Sequence, residues 1–205
     1  MISFDHAARQ IGGAWKMAFN AEDWKSTLDR GLDDVFASLS ALAFASPLVV
    51  LASVAGRRAA SRIPEFSDSI YVSAPLAALI VSDLATFALD WAASLALLLA
   101  LARLTGAGRH AADLIVGYNW IQPVIAAAQL PAIALMAAAA SRTLGGIVGL
   151  PAFALSLALL WGIVRRGLNA APAPAAAIVV LLIFVGIAAD LLCSAALKAA
   201  LAVQG

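Results

Sequence analysis

Along this chain, apolar residues gather into long runs and do not alternate with polar ones. Five windows stand out, at about 34–56, 74–104, 112–140, 143–165 and 175–202. A hydrocarbon core about 30 Å thick needs roughly 20 apolar residues in a helix, so each run is long enough to cross it. Period-two alternation is absent, and lipid offers no hydrogen-bond partner to an open strand edge. The expected fold class is therefore all-α, a polytopic membrane bundle of about five transmembrane helices. The second window exceeds one upright helix; its start (residues 71–82) either lies at the interface or belongs to a tilted span. Residues 2–33 follow a different pattern. Ile2, Phe4, Ile11, Trp15 and Phe19 recur at roughly helical spacing, then Trp24, Leu28 and Leu32, with charged residues between them. This predicts an amphipathic interfacial helix lying with its aromatic face toward the headgroups. Packing on the protein's own loops is the alternative. The organisation is then two-part: residues 1–33, an interfacial or cytoplasmic segment, and residues 34–205, the five-helix domain.

Composition supports the membrane class. Hydrophobic residues make up 63% and charged residues 12%, against roughly 45–50% and about 25% in soluble domains. Net charge is +1, so no global field draws in nucleic acid; the expected partner is the lipid bilayer, with other membrane proteins or a second copy also open. A single cysteine, Cys193, excludes an intrachain disulfide framework, and His6 and His110 form no ligand pair. No secretory signal peptide is apparent. With five spans, the side bearing the N-terminus carries eight Lys and Arg and the other side five. That bias favours a cytoplasmic N-terminus and an external C-terminus. "SRT" (141–143) turns the third span straight into the fourth, and "RRGLNAAPAPA" is a Pro-rich linker that starts the fifth at about Pro174.

The polar residues inside the spans carry the candidate chemistry. "GYNWIQPV" (117–124) interrupts an otherwise apolar window. Tyr118 and Trp120 fit an aromatic belt at the membrane surface. Asn119, Gln122 and Gln129 wind to one side of a helix and should face other helices. In the second span Asp83, Thr86, Asp90 and Ser94 also share a face. If those two spans form a hairpin, Gln122 lies level with Ser94 and Gln129 near Asp90, predicting a buried polar seam between them. Asp190 and Ser194 fall within the fifth span; an ionisable group at that depth is a functional candidate, because insertion costs about 2.5–3.5 kcal/mol. "DWAASLAL" and "DLLCSAAL" share Asp, Ser and Ala-Leu at equal offsets, as an inverted repeat or coincidence would leave them. Gly145 and Gly149 mark a helix-packing face in the fourth span. Pro47, Pro123 and Pro131 permit kinks.

No Gly-rich phosphate loop, paired-His zinc motif or GxSxG elbow is present. No catalytic, metal or cofactor-binding residue is therefore assigned, no cofactor is expected, and enzymatic activity is not expected. The segments "GAGRHAADLIVGYNWIQPVIAAAQLP" and "LALLWGIVRRGLNAAPAPAAAIVVLLIF", with the five-span count, resemble the Yip-domain family of small membrane proteins. The "DLYGP" segment of its eukaryotic members is missing, so partner-binding roles tied to it do not carry over. The resemblance implies a non-enzymatic membrane organiser, adaptor or accessory subunit with a cytoplasmic N-terminus. The Ala-rich composition points to a bacterial inner membrane. A small proton- or cation-coupled transporter using the intramembrane Asp residues, or a lipid-handling protein, is the alternative expectation.

Overall fold

A computed structural model describes residues 3–204; Ile2, part of the expected amphipathic pattern, lies outside them. The chain is 87% helical and, among the described residues, has no strand. Its helices run α1 (Phe4–Phe19), α2 (Trp24–Thr27), α3 (Leu32–Ser38), α4 (Ala41–Ala60), α5 (Ile70–Ser73), α6 (Leu76–Leu104), α7 (Ala111–Ala139), α8 (Arg142–Gly167) and α9 (Pro172–Gln204). Five segments are long and apolar enough to cross a membrane: Leu32–Ala60, Leu76–Leu104, Ala107–Ala139, Arg142–Gly167 and Pro172–Val203. The first joins α3 and α4 across the Leu39–Ser40 turn. This is a multi-pass helical membrane protein.

Local signals fix the element ends. The Ser3 hydroxyl accepts the His6 N–H at 3.2 Å and caps α1, while Asn20 closes it in the left-handed region at φ 61°. Pro75 separates α5 from α6, so residues 70–73 are a distinct turn of helix and not the start of a tilted span. Pro47, Pro123, Pro131 and Pro151 all lie within continuous helices.

α7 is the central helix. It packs most extensively on α8 and α4 and also meets α1 and α3, while α6 packs on α9 and α4. Its first half is enclosed: Leu114, Val116, Tyr118, Trp120 and Ile121 are buried core residues. The belt expected of Tyr118 and Trp120 is therefore corrected. The indole of Trp120 is 1% exposed, and its ring stands 5.9 Å from Phe44 and 6.2 Å from His6. α1 lies over the end of α7 that a belt would have left open, so the rings face protein.

The same packing seats α1 on the bundle by its small side chains and leaves its aromatic face turned outward. Its buried side is Ala7, Gln10, Gly13, Ala14, Met17 and Ala18, seated on α7 and α8; Phe4, Trp15 and Phe19 are exposed. Small side chains allow close approach, and Gly162 of α8 shows how close: a Cβ there would fall 2.0 Å from the Ala18 carbonyl oxygen. Arg166 completes the junction, its Nη1 donating to Ala18 O at 2.8 Å and its Nε to Asn20 Oδ1 at 2.9 Å. The cation neutralises the negative end of the α1 dipole. Buried Gln10 ties α1 to the following segment, donating to Asp29 Oδ2 at 2.6 Å and accepting the Asp29 N–H at 3.2 Å. Lys16 hydrogen-bonds Asp23 and holds its carboxyl below the usual range. That link is intact above the ordinary carboxylate pKa of about 3.9 and is lost as pH falls through the lowered value.

On the opposite side of the bundle, Arg62 Nη1 donates to Ala137 O at 3.0 Å, capping α7, and Arg57 Nη1 donates to Ala74 O. Gly145, on the expected packing face of α8, meets α7: a Cβ there would lie 2.7 Å from Met136 Cβ, and one on Gly149 would lie 3.6 Å from Ala132 Cβ. Both contacts are within the chain.

Gly162→Ala should separate α1 from α8 and cost about 1–3 kcal/mol, the range for overpacking a tight contact. Thermal unfolding in detergent and protease cleavage near residue 20 would report it; an unchanged midpoint and an uncut chain would contradict this packing.

Candidate intramembrane cavity

Alpha-helical spacing places Ser53 of α4, Asp83, Thr86 and Asp90 of α6, and Gln122 and Gln129 of α7 on one wall system. They surround a cavity of about 610 Å³, which Tyr71 of α5, Phe66 and Gly186 of α9 also line. Apart from Ser69, the remaining lining is apolar, chiefly aliphatic side chains of α4 and α7. Asp90 lies 14 residues from each end of α6, about 21 Å from both at 1.5 Å per residue. It sits at the middle of its apolar span.

The direct zipper expected between the second and third spans does not form. α6 and α7 touch only slightly, because α4 packs on both of them and holds them apart. Their polar faces therefore look onto shared empty space. Among the described residues, one direct bond crosses: Trp91 Nε1 donates to Asn119 Oδ1 at 3.0 Å, and Asn119 Nδ2 in turn donates to Ser38 Oγ at 2.8 Å. Asn119 is thus a buried structural tie among α3, α6 and α7, away from the cavity. Gln129 Nε2 donates to Ser156 Oγ of α8 at 3.0 Å, so its amide is braced from behind.

The two carboxylates differ in kind. Asp83 is fully engaged: Ser53 Oγ donates at 2.6 Å, and the Tyr71 hydroxyl lies 3.0 and 3.1 Å from its two oxygens. The half-buried Tyr71 phenol is in turn pushed above its ordinary pKa, by burial first and by the Asp83 charge second. Asp90 receives one hydrogen bond, 3.1 Å from Ser94 Oγ to Oδ1, and Oδ2 has no protein donor among the described residues. Gly186 stands beside it, where a Cβ would be 3.4 Å from Oδ1; the missing side chain leaves the carboxylate open. Among the described residues, no Lys, Arg or His lines the cavity. Among the described residues, no enclosed side-chain nitrogen or oxygen lacks a partner, so the spare capacity of Asp90 faces the cavity space. No group of three or more His, Cys, Asp or Glu converges as a metal site among them.

Asp190 and Ser194 lie outside the cavity lining, although the Asp190 charge acts on Tyr71, one of the lining residues. Asp190 is exposed on the outer face of α9 and Ser194 is half-buried; neither lines the cavity. Ser53, Tyr71, Trp91 and Ser156 were missed by sequence reasoning. A lone Ser in the apolar run "VVLASVAG" was the available signal for Ser53; Tyr71 gave none, because its reach to Asp83 depends on the break at Pro75.

Asp83→Ala would leave the Tyr71 hydroxyl without its acceptor, while Ser53 Oγ keeps the Val49 carbonyl at 3.0 Å, and should destabilise the fold by about 1–3 kcal/mol. Asp90→Ala should cost clearly less, because Asp90 accepts a single hydrogen bond, from Ser94, whereas Asp83 accepts from both Ser53 and Tyr71. Unfolding midpoints of the two variants check this, and equal losses would show Asp90 to be as structural as Asp83.

Comparison with protein-family models, with curated proteins and with solved structures gives no match to this chain, so the likeness to Yip-domain proteins rests on the quoted segments alone.

Proposed function

We propose that this protein is a small membrane carrier that holds a proton or a small cationic solute at Asp90. The observation that carries the reading is a cavity whose walls bring carboxylates, amides and hydroxyls toward the middle of the apolar spans, with no basic side chain among the described residues to neutralise them. Ligand sites are largely apolar concavities with a few convergent polar groups. In a membrane, ionisable residues lining such a space mark ion and proton paths. Gln122, Gln129 and Thr86 supply neutral acceptors around the charge, and Asp83, already saturated by Ser53 and Tyr71, maintains the end beside Tyr71. An organiser acting through helix packing alone leaves this space without a role. Cation binding gives it one.

The setting proposed with it is a bacterial inner membrane, N-terminus in the cytoplasm and C-terminus outside, supported by the excess of Lys and Arg on the α1 side. An accessory role in a larger assembly is favoured by one separate feature: Asp190 is exposed on an apolar face of α9, where lipid penalises a carboxylate and a partner helix would not.

Proteoliposomes loaded with a pH-sensitive dye, and challenged in turn with Na⁺, K⁺ and methylammonium, test the carrier reading. Saturable flux with at least one of them is expected, lost in Asp90→Asn, while that variant remains folded and monodisperse. Absence of flux with all three, together with no cation-dependent rise in thermal stability, would overturn it.

A further inference from the structure

A second recess lies at the α1 end of the bundle, outside the cavity described above. It has a volume of about 340 Å³ and is lined by Asn20, Trp24, Lys25, Arg165, Arg166 and Asn169, with no Asp or Glu among its lining residues. We propose that it binds the phosphate group of an anionic phospholipid, a site independent of the carrier reading.

Three cations converge there, and none is paired with a carboxylate among the described residues. The Arg166 guanidinium is held by Asn20 Oδ1 through Nε and by Ala18 O and Gly162 O through Nη1. Its Nη2 has no protein acceptor among the described residues, so a fixed cationic donor is presented to the recess. Arg165 and Lys25 are steadied by aromatic faces and not by counter-charges. The Arg165 guanidinium lies 5.1 Å from the Trp161 ring centroid and the Lys25 ammonium 5.5 Å from that of Trp24. Stacking of this kind orients a cation without neutralising it. Asn20 and Asn169 add neutral amides, and both hold left-handed backbone that turns the chain around the recess.

Position selects the source of the phosphate. Arg165 and Arg166 end the apolar α8 segment, and Trp24 and Trp161 lie in the same layer, which is the level of headgroups and interfacial tryptophans. Basic pockets between helices at this level suit anionic headgroups, each cation favouring an anionic surface by roughly fivefold. The recess takes a headgroup and leaves the acyl chains in the bilayer.

The test places the protein in nanodiscs of equal phosphatidylcholine and phosphatidylglycerol, releases it, and counts retained lipids by native mass spectrometry. Phosphatidylglycerol should be retained over phosphatidylcholine. The exposed or half-exposed pair Lys25→Gln and Arg165→Gln should lower that preference by more than tenfold, and Arg103→Gln, an exposed cation elsewhere on the same side, should leave it intact. Arg166 is kept because it also clamps α1. A parallel titration of detergent-solubilised protein with inorganic phosphate separates the sources: heat absent in the double variant but present at millimolar phosphate in the parent would assign the site to soluble phosphate and overturn the lipid assignment. Equal retention of both lipids, or equal loss in the control, would overturn it as well.

Discussion

Lipid offers no hydrogen bonds, and that constraint organises the whole molecule. The backbone groups of a span are satisfied mostly within its own helix, and every polar side chain must find protein, water or the headgroup layer. Protein partners are plain for two of the α7 side chains. Asn119 is closed among Ser38 and Trp91; Gln129 leans on Ser156. Asp90 faces a cavity, and the cationic cluster around Arg166 reaches the layer where the apolar segments end. The location of each polar residue follows from which of these outlets its helix face could reach.

α7 shows how one helix serves two of these purposes. Toward the α1 side it is enclosed by α1, α3, α4 and α8, and there its aromatics are core. Farther along it turns Gln122 and Gln129 to the cavity. Small residues make the enclosure possible: Gly117 would place a Cβ 2.7 Å from Met17 Sδ, and Gly162 admits the end of α1. In lipid, where apolar faces gain little by leaving their surroundings, such close contact is the main source of helix association. α1 is therefore a wedge packed on the bundle, and its exposed Phe4, Trp15 and Phe19 form the surface it turns outward.

Hydrophobic run length made the five spans and their order legible, and the prolines and the "SRT" turn placed their ends well. What length cannot encode is which helix neighbours which. Sequence adjacency and a short connection pointed to α6 and α7 as a zipper, yet α4 separates them and α9 covers the other face of α6. The shared face of Asp83, Thr86 and Asp90 was readable from periodicity. Its outlook onto a void was not, because a void is a property of three helices together. Asp83 and Asp90 look equivalent in sequence and differ in the fold, since Tyr71 and Ser53 arrive from elements too distant in the chain to be paired by pattern. The aromatic pattern of α1 pointed to its outer face, while the packing face, Ala7, Ala14 and Ala18, carried no hydrophobic signal strong enough to compete.

The proposition underlying the functional reading is that water or a small polar solute reaches Asp90 at mid-membrane depth. In a Cys193→Ala background, single cysteines at positions 90 and 122 can be compared with cysteines at the lipid-facing positions Val81 and Leu89, using a small, charged, thiol-reactive methanethiosulfonate. Fast modification of Asp90→Cys and Gln122→Cys with slow modification of Val81→Cys and Leu89→Cys is the expected result. Protection of positions 90 and 122 equal to that of the lipid-facing pair would show a dry interior and contradict it.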